Sequence, residues 1–468
     1  MAQVWKNRLK ELVTYKSALL GMGILVILIA ISIYTIITIP YGEATRLWKA
    51  GEGFWIDNPR NAQPAWINFF SSKKLPETMI LDTRKGGVGV TKIMIPLREN
   101  MSKVRIELSF HYDYDDFPSE INLFFTAKYD KSSPHISVYW IKPEGREIKL
   151  KDWGISKTET YYISIDNKLA NKMRAYLSNK LGKEMEYEIT PDIALFAVED
   201  ESILKLETVK PLKGEYKMVI EGTVFERNSD VNAKLVVYGK VYGIAGTDHL
   251  RRDLRIALLW GTPIAMAFGV VAAVSVAMLQ MIIAAVSGWY GDWVDFILQK
   301  ATEVNMILPF LPILMMISVF YNFNIWVLLV IVITLSVFGS GVKTYRAMFL
   351  QVKEFPYIEA AKAYGASSIR IVFLYMIPKV LPTVIPSLVL SVSSFVFLEA
   401  ALAMLGLGDP LAPTWGKIIY DAYDNGALYK GYYYWVLEPS LLLVLTSLGF
   451  AMLGFTLDKI FNPKLREM

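Results

Sequence analysis

From residue 355 to residue 378 the chain reads Phe355-Pro-Tyr-Ile-Glu-Ala-Ala-Lys-Ala-Tyr-Gly-Ala-Ser-Ser-Ile-Arg-Ile-Val-Phe-Leu-Tyr-Met-Ile-Pro. This pattern predicts a short helix, a tight turn and a second helix. Pro356 suits the first helical position, where a backbone N–H has no partner within the helix in any case. Gly365 follows good helix formers and suits the left-handed position just past a helix end. The stretch therefore predicts a compact helical elbow.

The second helix of the elbow starts near a serine and leads into a hydrophobic run. Ser367 or Ser368 can cap its amino terminus, and Pro378 marks its entry into the membrane. The first helix is slim on one side because it carries Ala360, Ala361 and Ala363. A slim helix fits a groove on another protein, whereas the alternative is a plain connection between two spans. The residues alone leave both interpretations open.

Long apolar runs lie on both sides of the elbow. A helix needs about 20 mainly apolar residues to cross a bilayer. The chain is 53% hydrophobic and 20% charged, which fits apolar spans combined with a separate polar domain. We therefore expect an α-helical membrane protein with six transmembrane helices. The predicted spans are residues 17–39, 257–287, 294–320, 325–345, 378–404 and 436–457.

Basic residues predict which parts of the chain face the cytoplasm, because they accumulate on that side of membrane proteins. Both termini and the loop 346–377 are therefore predicted to be cytoplasmic, and the Tyr- and Trp-rich residues 405–435 to lie outside. The first run exceeds the apolar core of a signal peptide, so we expect an uncleaved anchor. The basic residues are Lys6, Arg8, Lys10, Lys16, Lys343, Arg346, Lys353, Lys362, Arg370, Lys379, Lys459, Lys464 and Arg466.

The polar segment 40–255 has no run long enough to cross a membrane. Alternating residues predict strands, as in Lys103-Val-Arg-Ile-Glu-Leu-Ser-Phe-His-Tyr and Tyr216-Lys-Met-Val-Ile-Glu-Gly. Turn signals separate such strands, which favours a β-rich, sandwich-like extracytoplasmic domain. Residues 167–181 instead carry Leu169, Met173, Tyr176 and Leu177 at helical spacing. The predicted division is 1–39 for the cytoplasmic N-terminus and first span, 40–255 for the extracytoplasmic domain, and 256–468 for the membrane core.

Composition and motifs exclude several classes of function. The chain has no cysteine, three histidines and a formal net charge of +5, so thiolate metal sites and a nucleic-acid surface are not expected. Lys85-Gly-Gly-Val-Gly-Val-Thr resembles a phosphate-binding loop, but Val90 replaces its lysine, so we interpret it as a turn. We predict no catalytic, cofactor-binding or metal-binding residue. Asn100-Met-Ser is a glycosylation sequon on the predicted outer side.

Two acidic residues, Glu303 and Glu399, fall in or near predicted spans. A carboxylate is costly inside a bilayer, so both are candidates for a functional role. The alternative is structural, namely an ion pair with Lys300 or a hydrogen bond at a helix end. We favour the structural interpretation.

The spacing of Glu359-Ala-Ala, three residues, Gly365, nine residues and Tyr-Met-Ile-Pro resembles the EAA loop of binding-protein-dependent ABC importer permeases. Tyr375 and Ile377 depart conservatively from this loop pattern. Arg251 replaces a glycine in another resembled segment, Gly246-Thr-Asp-His-Leu-Arg-Arg-Asp. The resemblance covers the first span and residues 246 to the end, and gives the segment 40–255 no counterpart. Three more segments resemble the C-type permease of the dipeptide, oligopeptide and nickel transporter group: Gly246-Thr-Asp-His-Leu-Arg-Arg-Asp, Ser287-Gly-Trp-Tyr-Gly-Asp-Trp-Val-Asp, and Glu399-Ala-Ala-Leu-Ala-Met-Leu-Gly-Leu-Gly with Pro413-Thr-Trp-Gly.

This resemblance implies a permease subunit of an ATP-driven importer for peptides or related oligomeric solutes. The implied partners are a second permease, two cytoplasmic ATPase subunits that bind ATP and Mg²⁺, an external substrate-binding protein and the lipid membrane. Two alternatives stay open: the same class carrying oligosaccharides, and a membrane-anchored receptor for glycan or peptide. The implied ATPase-coupling residues are Tyr357, Glu359, Ala360, Ala361, Tyr364, Gly365, Ala366 and Pro378.

Overall fold

A computed structural model describes residues 11–98, 100–321 and 324–461. The chain divides into two compact units, a helical unit of Met1–Lys49 with Leu254–Met468 and a β-rich unit of Ala50–Asp253. The polar segment between the first two spans thus forms a unit of its own. Five basic residues used to predict the orientation lie outside the described residues: Lys6, Arg8, Lys10, Lys464 and Arg466.

Helices make up most of the helical unit, and two more belong to the β-rich unit. A π-helical turn, Ile371–Met376, joins the two helices that follow the elbow. In chain order the helices are α1 (Lys16–Thr38), α2 (Tyr41–Lys49), α3 (Asn167–Leu181), α4 (Pro191–Ala194), α5 (Leu254–Tyr290), α6 (Asp292–Ile307), α7 (Phe310–Phe320), α8 (Ile325–Ser336), α9 (Ser340–Lys353), α10 (Pro356–Ala363), α11 (Ser368–Arg370), α12 (Ile377–Met404), α13 (Trp415–Asp424) and α14 (Tyr434–Phe461).

The helical unit supplies the membrane spans. Among the described residues, four helices are long and apolar enough to cross a membrane: α1, α5, the run Ser368–Met404 and α14. Two bent pairs also qualify, α6 with α7 at 78° and α8 with α9 at 51°. If each bent pair is one span, the described chain has up to six. The protein is therefore a multi-pass membrane protein, as the apolar runs predicted.

Both bends have identifiable causes. Pro309, which lacks an N–H, precedes α7 and separates it from α6. At the second bend, Gln280 of α5 donates to the carbonyl of Ser336 (2.8 Å), and Asn305 of α6 donates to that of Leu335 (3.0 Å). The carbonyl of Ser336 also accepts from the N–H of Gly339 (3.2 Å), so the side-chain amides add to the hydrogen bonding where the helix is interrupted. The predicted spans 294–320 and 325–345 are thus each broken into two helices.

The β-rich unit contains two antiparallel sheets. Its strands are β1 (Met79–Asp82), β2 (Val90–Arg98), β3 (Met101–Tyr112), β4 (Glu120–Lys128), β5 (His135–Ile141), β6 (Glu147–Gly154), β7 (Thr158–Tyr162), β8 (Gly214–Val224) and β9 (Asp230–Tyr238). One sheet has the order β1-β9-β4-β7, and the other has the order β2-β3-β8-β5-β6. The phosphate-loop-like segment is a turn between β1 and β2, as predicted.

The core of this unit comes from alternate residues of the strands. Ile106 and Leu108 of β3 share one buried cluster with Leu123 of β4 and Leu235 of β9, so both sheets contribute to it. A two-residue period places such side chains on one face of each strand. The sandwich-like fold class predicted from alternation is confirmed.

The predicted helix at 167–181 is α3, whose residues Leu169, Met173 and Leu177 are buried. Asp166 caps it by accepting from the backbone N–H groups of Lys168 and Leu169. The fourth residue of the predicted apolar stripe, Tyr176, is 40% exposed and lies under the guanidinium of Arg146 at 3.7 Å.

The helical unit extends further than the predicted first span. Helix α2 belongs to it, because Tyr41 makes an edge contact with the ring of Trp260 at 5.0 Å. Trp260 also donates to the carbonyl of Ile39 at 3.1 Å. The β-rich unit accordingly runs from Ala50 to Asp253, whereas the predicted domain spans 40–255.

Candidate coupling loop

The elbow is built around a Schellman turn at the end of α10. Gly365 has φ +78°, its N–H donates to the carbonyl of Lys362 (2.9 Å), and the N–H of Ala366 donates to that of Ala361 (3.0 Å). These are the two hydrogen bonds that define this helix ending. Ser367 then caps the next helix by accepting from the N–H of Arg370. The predicted helix, turn and helix are all present.

One face of α10 is anchored in the helical unit. Ile358 is fully buried in a cluster with Phe349 of α9 and Met376 before α12. Lys362 places its ammonium 4.7 Å from the ring centre of Trp289 at the end of α5. Helix α10 therefore touches the ends of three other helical segments.

The opposite face of α10 is open. Tyr364 is 92% exposed and Tyr357 is 38% exposed. Glu359, in the first helical turn, is exposed as well. The remaining predicted coupling residues divide between exposed positions, Ala360 and Gly365, and half-buried positions, Ala361, Ala366 and Pro378.

An ion pair that sequence reasoning missed lies near the base of the loop. Arg346 of α9 donates through Nε to Asp295 of α6 at 2.6 Å. Lys353 donates to the carbonyls of Gly288 (3.2 Å) and Trp289 (2.9 Å) at the end of α5. The acceptors all belong to the segment 287–295. The resemblance of this segment to the permease group was the feature of the sequence that could have pointed to these contacts.

The two intramembrane acids have different surroundings. Glu303 lies 2.8 Å from Lys300 and 3.4 Å from Lys343, which agrees with the structural interpretation. Glu399 of α12 is 2% exposed and hydrogen-bonds with Thr414 before α13. Its Oε2 has no hydrogen-bond partner among the described residues.

The segment around Thr414 explains a second motif. Thr414 caps α13 by accepting from the N–H of Lys417 at 3.2 Å. Trp415 is fully buried and donates to the carbonyl of Leu258 at 2.9 Å. A Cβ at Gly261 would lie 2.2 Å from the Trp415 ring, so only glycine allows this approach. The Pro-Thr-Trp-Gly motif thus fixes α13 against α5.

Arg251 occupies the position where the resembled pattern has glycine, and it keeps a left-handed backbone with φ +64°. Its side chain is 3% exposed and donates to Glu52 (3.0 Å) and to the carbonyl of Asn58 (2.7 Å). It also pairs with Glu120, and its guanidinium lies 4.4 Å from the ring centre of Tyr238. These contacts offset the backbone cost of a non-glycine residue here.

These features define a multi-pass membrane protein with an added β-rich unit. Residues 280–467 match the family model described as binding-protein-dependent transport system inner membrane component. The matched residues cover less than half of the chain and include the whole elbow.

Proteins of known function show the same similarity. The dipeptide transport system permease protein DppC of Bacillus subtilis is 29% identical over 224 residues, which cover 47% of this chain and 69% of that protein. The oligopeptide transport system permease protein OppC of the same organism is 29% identical over 225 residues, or 47% and 72%. The peptidoglycan transport system permease protein YejE of Agrobacterium fabrum is 30% identical over 181 residues, or 38% and 47%.

Proposed function

We propose that this chain is the permease subunit of an ATP-driven importer for peptides. The observation that carries the proposal is the elbow, an anchored short helix with an open face, within the residues that match the binding-protein-dependent family model. The peptide class is supported by relatives that are described as dipeptide and oligopeptide permeases. No feature of the described residues favours the oligosaccharide alternative.

In this proposal, α10 inserts its open face into a cleft of a cytoplasmic ATPase. Tyr357, Glu359 and Tyr364 contact the ATPase, while Ile358 holds α10 to the helical unit. Closure of two ATPase subunits around ATP and Mg²⁺ moves α10, and α9 and α12 follow as a rigid body. The chain itself supplies the path, together with a second permease, and performs no hydrolysis.

The orientation is also a proposal. The basic residues around the elbow place it in the cytoplasm by the positive-inside rule. The segment between α2 and α5 then lies outside, where a substrate-binding protein delivers its cargo. Both termini are cytoplasmic in this arrangement.

Affinity capture from native membranes tests the proposal. A tag on this chain is expected to recover a second permease and an ATPase, and the recovered complex is expected to hydrolyse ATP. The purified chain alone should show no hydrolysis. Recovery of the chain without any ATPase would favour the receptor alternative and contradict the proposal.

A further inference from the structure

A cleft of about 750 Å³ lies in the β-rich unit, next to the segments where the chain enters and leaves that unit. Ligand pockets commonly have volumes of about 300–1,000 Å³. The lining combines three carboxylates with two guanidinium groups: Glu52, Glu120, Asp192, Arg60 and Arg251. A cleft with both signs of charge can recognise a ligand that also carries both.

Arg251 is committed to the fold, because it is buried and bonded to Glu52, Glu120 and Asn58. Arg60 is different. Its side chain is 46% exposed, and it pairs with Glu52 through Nε and Nη2. The Nη1 donor of Arg60 therefore faces no acceptor among the described residues. The cleft retains one guanidinium edge for an anionic group.

Asp192 is the carboxylate of the cleft that forms no ion pair with any described residue. Its side-chain hydrogen bond is with Thr190. Burial raises the pKa of Asp192 to about 6, and the charge of Glu120 adds to the rise, whereas Lys240 opposes it. A cation near this carboxylate would favour its charged form, and would thus offset both the burial and the repulsion from Glu120. No described residue donates to Oε1 of Glu120, whose Oε2 accepts from Arg251 and Asn122.

We propose that this cleft binds short zwitterionic peptides, with the ammonium at Asp192 and Glu120 and the carboxylate at Arg60. Tyr162 and Ile165, which are 49% and 73% exposed, offer apolar surface to the peptide side chains. The choice of peptides among zwitterions rests on the proposed importer function. Binding to the cleft itself requires neither ATPase nor transport.

Equilibrium dialysis of the full chain in detergent, without partner proteins, tests this site with radiolabelled leucyl-leucine. Acetylation of the peptide amine is expected to weaken binding by about tenfold or more. Asp192→Asn should weaken binding of the free peptide to a similar extent. Acetylation of the peptide amine should then change the affinity of this variant little further. Arg60→Gln should also weaken binding of the free peptide, and amidation of the peptide carboxylate should change the affinity of this variant little further. Glu215→Gln, an exposed site paired with His111, is the matched control.

The outcomes separate the possibilities. The site is supported if peptide binding weakens in the Asp192 and Arg60 variants but not in the control. In addition, Asp192→Asn should be insensitive to blocking of the peptide amine, and Arg60→Gln to blocking of the peptide carboxylate. No saturable binding at millimolar peptide, or wild-type binding by Asp192→Asn, overturns it. Equal affinity for free leucine overturns the peptide class. Failure of the importer function would instead appear as absence of a captured ATPase, which this assay does not involve.

Discussion

Gly365 holds the elbow in a left-handed conformation, and a Cβ there would meet no atom within 4 Å. Substitution therefore costs backbone strain and causes no clash. For a β-branched residue this strain is about 1–3 kcal/mol. Gly365→Val is expected to loosen α10 and to weaken ATPase capture and transport at normal membrane abundance. Gly365→Asn, which tolerates this conformation, is the control. Wild-type transport by the valine variant would make the elbow a plain connector.

Glu359 lies in the first turn of α10 with its side chain exposed. A carboxylate is stabilised there by about 0.3–1 kcal/mol. Glu359→Lys removes that contribution and reverses the charge presented to the proposed ATPase partner. We expect a stable membrane protein that captures less ATPase, as measured by affinity purification. Glu354→Lys, just before α10, should change capture little; equal losses in both variants would indicate a general charge effect.

Arg251 joins Glu52, Glu120 and the carbonyl of Asn58. Arg251→Met would leave Glu120 without its cation and Glu52 with Arg60 alone. This costs about 3 kcal/mol, the lower end for a broken buried pair, because both carboxylates are partly exposed. Urea unfolding of the β-rich unit, followed by circular dichroism, measures the change. Arg105→Met removes exposed ion pairs and should lower the stability far less than Arg251→Met. Equal effects of the two variants would contradict the assigned role.

At the scale of elements, α10 is attached to the helical unit through Ile358, which is fully buried. Ile358→Ala removes core contacts worth about 2–5 kcal/mol. Hydrogen exchange in residues 356–363 should therefore become faster, while exchange in α5 and α12 stays unchanged. Ile369→Ala alters a side chain that is 68% exposed and serves as the matched control. Unchanged exchange in both variants would show that other contacts anchor α10.

The loop after β5 and helix α3 are joined by ion pairs at Glu199. Burial raises the pKa of this carboxyl, but Lys180, Lys142 and Arg146 outweigh burial and lower it to about 2. Because the folded pKa lies below the usual 4.5, the stabilisation is complete above that pH and is lost as the pH falls toward 2. Urea unfolding at pH 6 and pH 3 should show this loss, and Glu199→Gln should remove that part of the pH dependence.

At the scale of the molecule, the β-rich unit has its own core from both sheets. Residues 50–253 expressed alone are expected to fold, with a β-rich circular dichroism spectrum and a cooperative thermal transition. A disordered or mainly helical spectrum would contradict this. The same residues with Leu123→Asp, which places a charge in the core, should lose the transition.

Periodic features of this chain were predictable from its sequence. The apolar runs, the alternation in β3 and β8 and the helical spacing of α3 each depend on neighbouring residues. The bend at Ser336 was not predictable, because Gln280 lies 56 residues away from it. The same holds for Arg346 and Asp295, which are 51 residues apart. The positions of the elbow residues followed from Gly365, whereas their role as ATPase contacts stays a prediction.

The contact of Glu52 with Arg251 bears on how the β-rich unit could have been acquired during evolution. These residues lie close to the two ends of the β-rich unit, so the chain enters and leaves this unit at neighbouring positions. A unit whose ends meet can enter a surface loop of another protein without pulling that protein apart. The β-rich unit is thus suited to be gained, lost or exchanged as a cassette. Related permeases are expected to differ by its presence as a whole, and a short glycine-serine linker in its place should still yield a membrane-inserted chain.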